Sequence, residues 1–200
     1  MPSKRLVKSL VVFALAGFFV SSVGWAQTRR HDVSVSYGLV TMDQVTDVLE
    51  SVLTVVITLG TFSKQNTEFS GAPFFTYHYS PNGRFGLGFA VGGYTSKGDL
   101  DYSDSAVGTF KETSYVGAFE LDYRWIMTSS FQLYSGLGLG VRVRKGTYVV
   151  EGEETESTSK ALPTYHLNLI GFRFGKKIGL FGEFGAGYKG VFNVGLNAQF

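Results

Sequence analysis

The chain has 200 residues with 18 basic and 16 acidic side chains, no cysteine, 26 glycines, 18 phenylalanines and 11 tyrosines. The missing cysteines exclude a disulfide scaffold, a cysteine zinc site and lipid attachment through an N-terminal Cys. Near-neutral charge gives no electrostatic footprint for nucleic acid; abundant glycine and aromatics with only 4 prolines favour closely packed strands.

The N-terminus reads as an export signal. Lys4, Arg5 and Lys8 precede the apolar run from Leu10 to Val20, and Gly24 and Ala26 are small residues suited to cleavage before Gln27. That run is too short to span a bilayer as a helix, which takes ~20 residues. Without the signal, residues 27–200 form one domain, and fifteen basic residues stand against sixteen acidic ones.

The first strand is expected from His31 to Val40, with Val33, Val35, Tyr37 and Leu39 on one face and Ser34, Ser36 and Gly38 on the other. From Met42 to Val56 the apolar spacing turns helical. Thr41 to Gln44 resembles a capping box, so a short helical insert is expected over 42–58, within a long loop at 41–68. The competing reading takes the β-branched run Val55 to Leu59 as a strand. Strand two runs from about Phe69 to Tyr79, and Ser80-Pro81-Asn82-Gly83 makes a tight turn into strand three, which begins at Phe85. The polar stretch from Thr95 to Thr113 is expected to be a loop. Strand four covers Ser114 to Trp125, strand five Phe131 to Arg144, and a second polar loop Lys145 to Lys160. Strand six spans Ala161 to Phe174. Its apolar face jumps from Tyr165, Leu167 and Leu169 to Ile170, Phe172 and Phe174, which predicts a bulge near Leu169. Strand seven runs from Ile178 to Tyr188. The last strand alternates Phe192, Val194, Leu196, Ala198 and Phe200 with Asn193, Gly195, Asn197 and Gln199 to the final residue.

These eight strands are joined by long and short connections in alternation, and Tyr77, Tyr79, Phe85, Tyr123, Trp125, Phe131 and Phe200 gather near one rim. Together with the export signal and the terminal Phe200, this pattern resembles the small outer-membrane β-barrel family of Gram-negative bacteria. The resemblance implies an all-β fold: an eight-stranded antiparallel transmembrane barrel with short periplasmic turns and longer extracellular loops. It further implies outer-membrane lipid, periplasmic chaperones and the barrel-insertion machinery as partners. On that reading Phe192, Val194, Leu196 and Phe200 form a C-terminal insertion signal.

Function is sought on the inward faces. Glu120, Asp122, Arg124, Arg142, His166, Asn168, Glu183, Asn193 and Asn197 are expected to form a polar network, with His78, Arg144 and Gln199 on the same faces. An eight-stranded barrel is just wide enough for side chains to fill, so this network is expected to plug the lumen. The expected role is structural or interactive at the cell surface, with an extracellular ligand at the long loops and no catalysis. Two alternatives are passive transport of small hydrophobic molecules and lipid A modification through a His166–acid pair with Glu183. The latter lacks an adjacent serine nucleophile, since Asn168 stands two residues beyond His166. His31, His78 and His166 sit on separate strands without ligand spacing, so no metal or cofactor is expected. His31 is expected to be solvated at the periplasmic end. The paired glycines at 136, 138 and 140 lie within a strand and are expected to make room for larger side chains across the lumen.

Overall fold

The computed structural model describes residues 30–39, 63–102, 105–150 and 155–200. In these, nine strands run in chain order: β1 (His31–Leu39), β2 (Ser63–Phe69), β3 (Ala72–Tyr79), β4 (Phe85–Tyr102), β5 (Ser105–Met127), β6 (Phe131–Val150), β7 (Glu156–Gly175), β8 (Ile178–Gly187) and β9 (Phe192–Gln199). Each pairs antiparallel with its neighbour, and β1 pairs with both β3 and β9, so the sheet closes on itself. Nine strands make eight staves. β2 and β3 follow one another along the same edge of β4, interrupted at Ser70-Gly71, where Gly71 takes φ +70°. Tyr37 donates its hydroxyl to the Ser70 carbonyl and so braces that break.

The seam between β1 and β9 holds an unbroken register from Asp32↔Gln199 to Leu39↔Phe192. Phe200 continues it: its amide donates to the His31 carbonyl at 3.0 Å, and its carbonyl accepts from the amides of His31 at 2.9 Å and Arg30 at 3.1 Å.

Side chains are distributed inside out. Among the described residues seventeen buried side chains are polar or charged and ten are apolar, whereas thirty large apolar ones are exposed. A water-soluble sandwich buries its apolar face, so this pattern turns the fold toward an apolar surrounding. The outward belt runs from Phe85 to Gly93, from Tyr115 to Trp125, from Ile178 to Ala186 and from Phe192 to Phe200. Those nine to eleven residues match the ~9–11 of a tilted membrane strand.

Three expectations need correction. Residues 63–69 belong to a strand and not to a loop. The polar stretches at 95–113 and 145–160 are largely strand as well, because β4, β5, β6 and β7 run on past the belt for 18, 23, 20 and 20 residues. They form a wall standing above one side of the ring. The stretches that form this wall are mostly polar, so the period-2 apolar signal of a half-buried strand is missing there. The helical insert expected over 42–58 lies outside the described residues. The anticipated bulge is present: the β7–β8 register shifts between Asn168 and Ile170, leaving Leu169 and Ile170 both exposed.

The closing register is open to a direct test, since the native chain has no cysteine. Val35 and Leu196 are Cα partners. Oxidised Val35→Cys/Leu196→Cys is expected to form a disulfide with altered gel mobility, and Val35→Cys/Val194→Cys to cross-link much less. Equal yields from the two pairs would refute the register.

Candidate functional site

The inward side chains fall into three tiers. At the end of the short turns, Asp32 of β1 accepts from Asn197 Nδ2 at 2.9 and 3.0 Å and from Gln199 Nε2 at 2.6 Å. Gln199 and Gln132 exchange amide hydrogen bonds at 3.1 and 3.2 Å. Two buried arginines tie the turns to this tier. Arg124 donates to the Gly83 carbonyl at 3.0 Å and lies 3.5 Å from Asp122 and 3.9 Å from Asp32. Arg173 donates to Asn197 at 2.8 Å and to the carbonyls of Gly175 and Lys176 at 2.7 and 2.9 Å.

The middle tier centres on Glu120. Lys189 Nζ sits 2.7 and 2.8 Å from its two oxygens, and the Tyr188 hydroxyl donates at 2.6 Å. His78 bridges two acids, with Nε2 3.2 Å from Glu120 and Nδ1 3.2 Å from Asp122. Nearby, Glu183 accepts from Tyr134 at 2.9 Å and from Asn193 at 2.7 Å. Glu120 and Glu183 therefore each have hydrogen-bond donors, while Asp122 is held by its ion-pair contacts to His78 and Arg124, as the cost of an unpaired buried charge requires.

Tyr188 and Lys189 reach this tier from an unexpected direction. They occupy the β8–β9 turn, at the end where the wall rises, yet both are buried. The turn folds into the ring, helped by Gly190 at φ +94°. Two close approaches require glycine on the receiving walls. A Cβ on Gly38 would stand 1.8 Å from the Lys189 carbonyl oxygen, and one on Gly138 would stand 2.1 Å from the Tyr188 hydroxyl. The void at Gly138 is thus filled by a turn and not by a facing strand.

The upper tier lies inside the foot of the wall. Arg142 donates to the Tyr94 hydroxyl at 3.0 Å. Tyr148 donates to Glu112 at 2.5 Å, and Arg144 lies 3.8 Å from the same carboxylate. Burial, then the bond to Glu112, pushes the Tyr148 hydroxyl up to about 12.

Of the expected network, Glu120, Asp122, Arg124, Glu183, Asn193 and Asn197 come together in the lower two tiers, and Arg142 stands in the upper one. His166 and Asn168 are buried but join no ion pair. The His166 ring packs on Tyr188 at 5.2 Å, and neither of its nitrogens has a hydrogen-bond partner among the described residues. Hence no His166–acid pair is formed with Glu183. His31 is also not simply solvated: its Nδ1 lies 2.8 Å from the Tyr77 hydroxyl and its ring stacks on Phe200 at 5.6 Å. The C-terminal residues Phe192, Val194, Leu196 and Phe200 all point outward, each about half exposed.

Sequence reasoning missed Asp32, Gln132, Tyr134, Arg173, Tyr188 and Lys189 as members of the network. Asp32 was findable, since it continues the inward alternation of Ser34 and Ser36. Arg173 was findable too, since the predicted bulge near Leu169 puts Ile170, Phe172 and Phe174 outward and Arg173 inward. Between the tiers the lumen keeps two voids of about 40 and 20 Å³, room for a few waters.

Lys189→Met leaves Glu120 buried with its main countercharge gone, and is expected to lower unfolding stability in micelles by about 3 kcal/mol. Adding Glu120→Gln is expected to recover at least part of that loss. Denaturant titration of the single and double variants measures both, and an additive double variant would separate Glu120 from Lys189 energetically.

No family model matches the sequence, and no curated protein does. Among solved structures, the chain is similar to Ail, the attachment invasion locus protein of Yersinia pestis, at 13% identity and a TM-score of 0.44, over 85% of this chain and 95% of that one.

Proposed function

We propose that the protein is an integral outer-membrane β-barrel with a plugged lumen, acting at the cell surface through the wall formed by β4 to β7 and not by catalysis. The outward apolar belt carries this reading. Along β5 the outward residues change from Tyr115 to Thr113, on β6 from Val143 to Lys145 and on β7 from Ala161 to Ser159. The register joins them into one row, Gly93↔Tyr115↔Val143↔Ala161, with the polar row Thr95↔Thr113↔Lys145↔Ser159 directly above. A change from apolar to polar outward residues on adjoining strands fits a hydrocarbon–water interface. At the opposite end, Tyr79, Phe85, Tyr123, Trp125, Phe131, Phe174 and Phe200 supply the aromatic girdle, with Trp125 Nε1 donating to Ser135 at 3.0 Å.

On this reading the short turns face the periplasm and the wall faces outward. Residues 1–26 serve export, with cleavage near Ala26, and the C-terminal strand with Phe200 meets the insertion machinery after chaperone delivery. Support for a plug comes from the two buried tiers and from the inward turn carrying Tyr188 and Lys189. Surface interaction is favoured by the wall's free edges. Among the described residues no strand pairs with the far side of β7 before Tyr165 or with the far side of β2. Such edges accept an extended strand from a partner, while Lys160 and Pro163 limit indiscriminate pairing.

The test is cell fractionation with gel mobility before and after boiling. The protein is expected in the outer-membrane fraction and to migrate differently once boiled. Liposomes carrying it should leak small solutes no faster than empty ones. A soluble periplasmic chain without a heat-dependent shift would sink the proposal, and rapid leakage would sink the plug alone.

A further inference from the structure

The lumen beside Glu120 is walled by residues too small to fill it. The register sets Gly88, Glu120 and Gly138 in one inward row across β4, β5 and β6, and Ala90, Ala118 and Gly140 in the row above. The interior of an eight-stranded barrel is ordinarily filled by side chains from its own wall. Here the wall stops at a methyl group or a hydrogen, and two rings from elsewhere take the space. Phe74 reaches in from β3 and Tyr188 from the β8–β9 turn, with 5.4 Å between the ring centres. Both are buried.

The occupant does not belong to the sheet that encloses it. Tyr188 and Lys189 follow one another in a short connection, and their donors converge on one carboxylate. The Tyr188 hydroxyl lies 2.6 Å from Glu120 Oε1, and Lys189 Nζ lies 2.7 Å from Oε1 and 2.8 Å from Oε2. The Tyr188 ring also packs against His166 at 5.2 Å. Together they have the outline of a ligand: a flat ring beside Phe74 and His166, with a fork of donors aimed at a carboxylate.

Withdrawal of this turn is tied to a replacement. Gly187 at φ +141° and Gly190 at φ +94° stand at its two ends, in backbone regions that glycine enters without steric cost. When the turn swings out, Lys189 regains its hydration, but Glu120 loses its nearest cation and stays buried with His78 at 3.2 Å. An incoming cation removes that cost; a neutral molecule of the same shape leaves the carboxylate short of a countercharge, and an anion adds repulsion.

We infer that this chamber is a binding site for a small planar organic cation, an aryl amidinium or guanidinium, and that Tyr188 and Lys189 are its exchangeable internal occupant. The cation places one N–H on each Glu120 oxygen, and its ring takes the Tyr188 position beside Phe74. Entry is from the end where the wall rises, since the β8–β9 turn lies there. The inference rests on the plugged-lumen reading above and adds that the plug is displaceable.

The test uses the full chain refolded in micelles, first confirmed as a heat-shifting barrel. Benzamidine is the probe, benzamide its neutral isostere and benzoate the anion, with affinities measured by calorimetry. Benzamidine is expected to bind at least about tenfold more tightly than either. Tyr188→Gly/Lys189→Gly, which empties the chamber, is expected to bind it at least about tenfold more tightly than the native chain, because no internal occupant competes. Adding Glu120→Gln to that variant should abolish the preference over benzamide, and Lys176→Gln at the opposite end should change nothing. In the native chain, saturating benzamidine should raise acetylation of Lys189, read by peptide mass spectrometry, at least about threefold, while benzamide should not. That arm holds even where the doubly substituted chain fails to fold. Three results overturn the inference: equal binding of benzamidine and benzamide, an undiminished preference in the folded Glu120→Gln variant, or unchanged Lys189 acetylation in the native chain. A chain that never forms a heat-shifting barrel overturns the barrel reading and the chamber together, whereas a folded barrel that leaks no solute and shows no preference for benzamidine overturns the chamber alone.

Discussion

An unpaired strand edge leaves its backbone groups without partners, so the eight-residue register that joins β1 to β9 is what permits every other feature of this barrel. Phe200 extends that seam by three backbone hydrogen bonds to the start of β1. Once the ring is closed, each strand must send alternate side chains outward and inward. The apolar set then goes outward, and the charged set is forced into a narrow interior. The polar core is therefore a consequence of closure, not a separate invention.

What the interior does with those charges is decided around Glu120. A carboxylate on β5 at mid-height needs a cation, and among the strands His78 of β3 comes within 3.2 Å of it. The missing countercharge comes from the β8–β9 turn, which bends inward to deliver Lys189 with Tyr188 beside it. This arrangement both neutralises the acid and fills the space that Gly138 leaves open. Arg124 and Arg173 play a parallel part lower down, where each ties a short turn to the acids and amides of the first tier. Electrostatic satisfaction and filling of the lumen are thus achieved by the same side chains.

The wall gives the molecule its asymmetry. β1, β3, β8 and β9 stop near the belt, while β4 to β7 continue well past it. Inside its foot Glu112 pairs with Tyr148 and Arg144; outside, Lys97 pairs with Glu68, whereas Lys111 and Lys145 have no carboxylate partner among the described residues.

Period-2 alternation made the belt strands legible from His31 to Phe200, and even the bulge at Leu169 showed itself as a jump of the apolar face. The inward positions of Glu120, Asp122, Glu183, Asn193 and Asn197 followed from the same parity. The wall was not legible, because a strand with two polar faces carries no apolar period and reads like a loop. Arg173 was legible by the same jump, which leaves it opposite Phe172 and Phe174, but its bonds to Asn197 and to the turn carbonyls were not. Lys189 escaped because parity has no meaning in a turn: whether the chain bends into the lumen depends on a void at Gly138, clearance at Gly38 and an acid at Glu120, all on other strands. The sequence alone therefore determined which side chains could meet an apolar surrounding and which could not, since that depends on local alternation. Only the tertiary structure decided which charges meet across the lumen, because those partners are set by ring closure and not by spacing along the chain.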